Sequence, residues 1–279
     1  MKHVLLVGNL DGHSAPLLRY ASKFCKELKL KLHILQIEPD SDPVFLSSPY
    51  YYNKFGLMMN YNKSEKKEEL ENFVLKNTKG LIDSTWISCE IIRGNVEHSL
   101  TQFINEQKID FVIVRNTLFK KFDLEKNEIF KRLFLNVSEL PILIIPNNYS
   151  FESFEKISYF ITYKQDDYSK IEWLSKNFPK SKIDIIHLSK EDDSISQQKW
   201  IKYLKSELGN SFRYIHKKDR LIDFVQKESD TIAPVYNCMV FTTQKRNFWQ
   251  NIIDPSTTLN LISKLEIPAI IFKYEMTEK

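Results

Sequence analysis

Apolar residues along this chain fall into short unbroken runs, separated by longer stretches in which they recur every three or four positions. A short run without alternation predicts a strand buried on both faces, and the three-to-four periodicity predicts an amphipathic helix. The first runs place strands at His3–Val7, Leu32–Ile37, Ile87–Ile92, Phe111–Val114 and Ile142–Ile145. Helices are predicted between them. Ser14–Lys29 carries Leu17, Ala21, Phe24, Cys25 and Leu28 on one face, and Glu65–Lys79 follows a long insert. A third helix is capped by Asn95 and buries Val96, Leu100, Phe103 and Ile104; Glu128–Leu140 turns Ile129, Leu133, Val137 and Leu140 inward.

After the polar linker at 147–150 the series restarts. Ile157–Ile161, Asp166–Asn177, Ile183–His187, Ser194–Leu208, Phe212–Ile215, Arg220–Lys227, Cys238–Phe241, Pro255–Leu265 and Ala269–Phe272 repeat the order strand, helix, strand. The back halves of the two series match without gaps at a shift of 127 residues. Val112–Arg115, Asn127-Glu128 and Glu139–Ile144 return as Met239–Thr242, Asp254-Pro255 and Glu266–Ile271. Loop lengths drift easily, so an ungapped match of this length indicates one unit present twice. The domains are therefore 1–147 and 151–279. Five strands and four crossover helices per copy predict two tandem α/β, doubly wound, five-stranded parallel sheets.

At the front of the copies Asn9 aligns with Thr162, an offset of 153, so the first copy carries 26 extra residues. These are assigned to Pro39–Ser64, which has no counterpart in the second copy. The stretch holds Tyr50, Tyr51, Tyr52, Tyr61, Phe45, Phe55, Met58 and Met59. Such a loop folds back as a lid on its own domain, or it supplies anchors to a protein partner or a second protomer.

Composition narrows the function classes. A hydrophobic fraction of 42% and a charged fraction of 27% suit a globular protein with a real core. The net charge of +4 is small for 279 residues, which argues against a nucleic-acid partner. Cys25, Cys89 and Cys238 are isolated thiols without metal-ligand spacing, as expected in a reducing compartment. The apolar start His3–Val7 is too short for a signal peptide, and no run is long enough to span a membrane. A cytoplasmic protein without a membrane partner is expected. Six glycines are few for a chain that would wrap phosphate in backbone N–H groups.

The opening strand and helix from Val4-Leu5-Leu6-Val7-Gly8-Asn9 through Tyr20-Ala21, the second strand Leu32–Ile37, and the proline-led final strands Pro141–Ile145 and Pro268–Phe272 resemble the universal stress protein family in its tandem form. The resemblance covers nearly the whole chain. It implies strand order 3-2-1-4-5 in each copy, with the two final strands meeting in an intramolecular pseudo-dimer. It also implies where nucleotide would bind. Members that bind ATP carry an aspartate after the first strand and a G-x2-G-x9-G-[ST] loop after the fourth. The aspartate positions here hold Asn9 and Thr162. The glycine positions hold Arg115, Leu118 and Glu128 in copy one, followed by Ile129. In copy two they hold Thr242, Lys245 and Pro255, followed by Ser256.

No motif glycine is present in either copy. Glu128 suits the positive end of a helix but repels phosphate, and Leu118 adds bulk where backbone would approach a ligand. Copy one is therefore closed to nucleotide by this route. Copy two keeps Thr242, Lys245, Ser256 and Thr257 as candidate anion-binding residues, with Arg246 and Thr258 beside them and Asp254 opposing. The plain reading of that loop is a capped helix start with solvated basic residues.

Other candidates carry less. His33 and His187, both in second strands, form either a matched pair or two packed strand-end histidines. His98 and Asp110 have no nucleophile nearby, and Asp166-Asp167 and Glu191-Asp192-Asp193 read as helix-start acids rather than metal ligands. Gly94-Asn95 offers no phosphoacceptor aspartate for a receiver domain, and the motifs of nucleotide-dependent ligases are missing. The sequence thus predicts a non-enzymatic, regulatory or adaptor-like protein without a cofactor. A small-molecule sensor binding an anion in copy two is the alternative.

Overall fold

The computed structural model describes residues 2–7, 14–38, 63–93, 96–116, 140–147, 149–161, 166–188, 194–208, 212–218, 221–229, 235–244 and 265–274. They fall into two compact units. The first holds β1 (His3–Val7), α1 (Ala15–Leu28), β2 (Lys31–Glu38), α2 (Lys63–Thr78), β3 (Ile87–Arg93) and α3 (Val96–Gln107). Its strands lie in the order β3-β2-β1 and run parallel. Val4, Leu5, Leu6, Leu32, Ile34 and Leu35 are fully buried, as a sheet covered on both faces requires.

α1 begins with proline in its first turn, where a missing N–H costs no hydrogen bond, and buries Leu17, Leu18, Tyr20, Ala21, Phe24 and Cys25. It ends at Lys29, whose φ of 54° lies in the left-handed region that glycine normally fills. The Leu30 N–H donates to the Cys25 carbonyl at 2.8 Å and Leu30 turns into the core. α3 ends the same way, with Lys108 at φ 51° and the Ile109 N–H on the Ile104 carbonyl at 3.1 Å. In this glycine-poor chain, lysine takes the left-handed cap and the buried residue after it holds the turn closed.

The second unit holds β4 (Phe111–Arg115), β5 (Ile142–Ile145), β6 (Lys156–Phe160), α4 (Asp166–Asn177), β7 (Lys182–Leu188), α5 (Ser194–Leu208), β8 (Phe212–Lys217), α6 (Leu221–Ser229), β9 (Cys238–Gln244) and β10 (Ala269–Tyr274). Its strand order is β4-β5-β10-β9-β6-β7-β8. The second copy's own strands thus read β8-β7-β6-β9-β10, the order 3-2-1-4-5, and all pair in parallel. The one antiparallel join is β5 with β10, the two proline-led final strands. Trp173 of α4 packs edge-on against Phe272 of β10 at 5.3 Å and Phe111 of β4 at 6.1 Å.

Strand registers reproduce the repeat. The Val112 N–H donates to the Pro141 carbonyl at 3.1 Å, and 127 residues on the Met239 N–H donates to the Pro268 carbonyl at 3.0 Å. His3 faces Lys31 as Lys156 faces Lys182, which sets offsets of 153 and 151. Leu32 faces Ile87 as Ile183 faces Phe212, so the third strands are offset by 125. The fall from 151 to 125 places the 26 extra residues between β2 and β3. Ser64 lies within α2. The aromatic part of that insert, and the bodies of the helices expected at Glu128–Leu140 and Pro255–Leu265, lie outside the described residues.

Candidate functional site

In open α/β sheets ligands bind beyond the carboxyl ends of the strands, where the strand order reverses. In the second unit that point lies between β6 and β9. Thr242, at the carboxyl end of β9, faces Phe272 across the sheet. Its Oγ1 is buried and has no hydrogen-bond partner among the described residues. Lys245, Ser256 and Thr257 lie outside the described residues, as do Asn9, Thr162, Leu118, Glu128 and Ile129. Thr242 is thus the one candidate anion-binding residue that can be placed. Arg115, 127 residues before it, ends β4 beside Ile145. The next residue, Asn116, sends its Nδ2 to the Leu265 carbonyl at 3.3 Å, and its buried Oδ1 has no partner among the described residues.

The walls of this crevice are built from bulky and acidic groups. Phe160 closes β6 and stacks on Phe241 of β9, with ring centroids 5.0 Å apart and planes within 2°. Phe224 of α6 meets the Phe160 ring edge-on at 5.6 Å. At the start of α4 the Asp167 carboxylate, 1% exposed, accepts a 2.5 Å hydrogen bond from the fully buried Tyr159 hydroxyl. A protein carboxylate thus stands at the positive end of the helix after the first strand of this copy, where it complements the helix dipole and opposes a bound anion.

A second polar constellation lies at the opposite, amino-terminal end of the sheets, and it differs between the copies. In the first unit, His33 of β2 is 1% exposed and lies between His3 and Ser88. Its Nε2 is 3.0 Å from His3 Nδ1 and its Nδ1 is 2.8 Å from Ser88 Oγ. The His3 and His33 rings stack at 4.9 Å. Burial, and then the positive charge of His3 and Lys31, pushes the His33 imidazole down to about 4.

By the strand offsets, His3, His33 and Ser88 correspond to Lys156, Asp184 and Arg213 of the second unit. There Asp184 is 3% exposed and accepts from Arg213 Nε at 3.2 Å and Nη2 at 2.7 Å. Tyr236 Oη donates to the same carboxylate at 3.1 Å, and Lys156 Nζ lies 3.6 Å away, over the Tyr236 ring. One copy therefore fills these three positions with a histidine–histidine–serine chain and the other with a charge cluster. His33 and His187 are not equivalents: His187 corresponds to Gln36 and instead stacks on His216 at 5.2 Å. Neither cluster is visible from sequence spacing, because its members lie on three different strands and meet only once the register is set.

No protein-family model matches the chain, and no curated protein sequence does. Solved structures do match. A universal stress protein from Archaeoglobus fulgidus DSM 4304 superposes with a TM-score of 0.68, over 99% of this chain and 97% of its own, at 13% identity. The chain has the universal stress protein fold. A protein of unknown function from Pseudomonas aeruginosa PAO1 superposes at a TM-score of 0.54 and 15% identity, over 98% of this chain and 92% of its own. The cytoplasmic domain of a prokaryotic cation chloride cotransporter superposes at 0.53 and 14% identity, over 97% and 95%. No described helix is long and apolar enough to cross a membrane, and no group of three or more metal-ligating side chains occurs among the described residues.

Proposed function

We propose that this is a non-enzymatic, cytoplasmic regulatory or adaptor protein of the universal stress type, in which the nucleotide sites have degenerated. The observation that supports this most is the replacement of glycine by Arg115 and Thr242 at the carboxyl ends of β4 and β9. Backbone N–H groups converge on phosphate only where no side chain intervenes. Asp167, a carboxylate in the first turn of α4, adds like charge at the same end of the second copy's sheet. Calorimetric titration with ATP tests the reading. Affinity is expected to be millimolar or undetectable, where about −4 kcal/mol corresponds to roughly 1 mM. Micromolar binding, or a nucleotide retained through purification, overturns it.

A sensor that binds an anion in copy two is the second reading. Thr242 favours it, because its buried Oγ1 has no partner among the described residues and stands on the strand that leads to Lys245. The two readings separate at Lys245→Glu, which abolishes binding in a sensor and changes nothing in an adaptor.

A further inference from the structure

A run of positive charge lies along α5 and β8 of the second unit. Residues 194–218, from the start of α5 to just past β8, contain Lys199, Lys202, Lys205, Arg213, Lys217 and Lys218 against the single acid Glu207. Six cations less one anion give +5 in this segment, against +4 for the whole chain. Lys199, Lys202, Lys205, Arg213, Lys217 and Lys218 are all exposed. Arg213 is held by Asp184, whereas Lys199, Lys202, Lys205 and Lys217 have no acidic partner among the described residues. The corresponding elements of the first unit are balanced. There α2 mixes four glutamates with its lysines, and Lys67 lies 3.9 Å from Glu71 and 3.8 Å from Glu90 of β3.

β8 is also a terminal strand. It is the last in the sheet order, and among the described residues it pairs with β7 alone. The outer edge of such a strand presents backbone donors and acceptors that an extended segment can complete, and side chains then choose which segment. The aromatic residues Phe212 and Tyr214 alternate with Arg213 along it, and α5, which carries Lys199, Lys202 and Lys205, packs against it. We infer that β8, with the lysine face of α5, docks an extended acidic peptide segment of a protein partner by strand addition. The peptide's backbone completes the edge of β8, and its carboxylates, all on one face of the added strand, pair with Lys199, Lys202 and Lys205. This surface is independent of the nucleotide crevice, so the inference holds whether that crevice binds an anion or not.

Fluorescence anisotropy of the full chain with a labelled peptide alternating glutamate with valine tests it. Saturable binding is expected, weakened about tenfold or more in the triple variant Lys199→Glu, Lys202→Glu, Lys205→Glu, whose exposed positions leave the fold intact. Proline in place of each valine keeps the charge but prevents strand pairing, so that peptide should not bind. Amide exchange in β8 should slow when the alternating peptide is added. Equal binding of the proline peptide overturns strand addition. Tighter binding of a single-stranded oligonucleotide or an anionic vesicle overturns the choice of partner. If no acidic peptide binds, the lysines serve to keep β8 from pairing with other copies, and the inference fails.

Discussion

Leu143 pairs across the sheet with Ile270, the residue 127 positions on that fills its own place in the second copy. Ile142 and Ile144 flank it by facing Ile271 and Ala269, so the join between β5 and β10 is self-complementary about that one pair. A repeat that meets itself in this way hides two strand edges with one contact. Both residues are 1–2% exposed, so Leu143→Ala and Ile270→Ala are each expected to cost about 2–5 kcal/mol. Because the side chains are direct neighbours, the double variant should depart from the sum of the two by about 0.5 kcal/mol or more. Urea denaturation of the four proteins measures this. Strict additivity would show that the pair is not an energetic unit.

Asp184 is the hub of the charged cluster at the amino-terminal end of the second sheet. Giving it the first copy's residue, as Asp184→His, takes the carboxylate from Arg213, Lys156 and the buried Tyr236 hydroxyl, and about 1–3 kcal/mol of destabilisation is expected. Adding Lys156→His and Arg213→Ser rebuilds the His–His–Ser chain of the first unit. The triple variant should therefore recover a large part of the loss, although Tyr236 stands where the first unit has Ile109. A triple variant less stable than Asp184→His alone would show that the two clusters do not act as interchangeable sets.

His33 links stability to pH. Its folded value of about 4 lies below the ordinary 6.5, so the unfolded chain takes up the proton first. The sign follows: the neutral imidazole's contribution is present above pH 6.5 and is lost as pH falls from 6.5 towards 4. His33→Gln removes the titration while retaining a hydrogen-bonding side chain towards His3 or Ser88. Its unfolding free energy should change less between pH 7 and pH 5 than that of the parent. An unchanged pH slope would place the coupling elsewhere.

Strand runs, their order and the repeat were all legible in the sequence, because an unbroken apolar run such as Val112–Val114 has few readings other than a buried parallel strand. The offset between Asn9 and Thr162 sizes the extra chain, and the lack of any counterpart to Pro39–Ser64 places it between β2 and β3. Pairing between strands was not legible from the residues themselves. His33 corresponds to Asp184 rather than to His187, and nothing but the register of β2 on β3 and of β7 on β8 reveals it. Helix ends shifted by a residue or two, as at Lys63 in place of Glu65, where propensity is flat and tertiary contacts decide. At the crevice the sequence supplied Thr242. The Tyr159–Asp167 contact is not legible there, because an acid in a first turn reads as a cap until its burial is known.

The aromatic insert between β2 and β3 yields the last prediction. Tyr50, Tyr51 and Tyr52 either cover their own domain or anchor another chain. Serine at all three positions removes most of the apolar area that such anchors provide while keeping a hydroxyl at each. If the insert is a lid, the loss falls on folding. The melting temperature should then drop by several degrees, since about 1 kcal/mol shifts a domain of this size by roughly 2–8 °C. If it is an interaction arm, the melting temperature stays nearly constant and self-association or partner capture weakens, because buried aromatic anchors dominate interface energetics. Calorimetry and sedimentation on the same variant distinguish the two. Loss of both stability and association would mean that self-association itself contributes to the melting temperature.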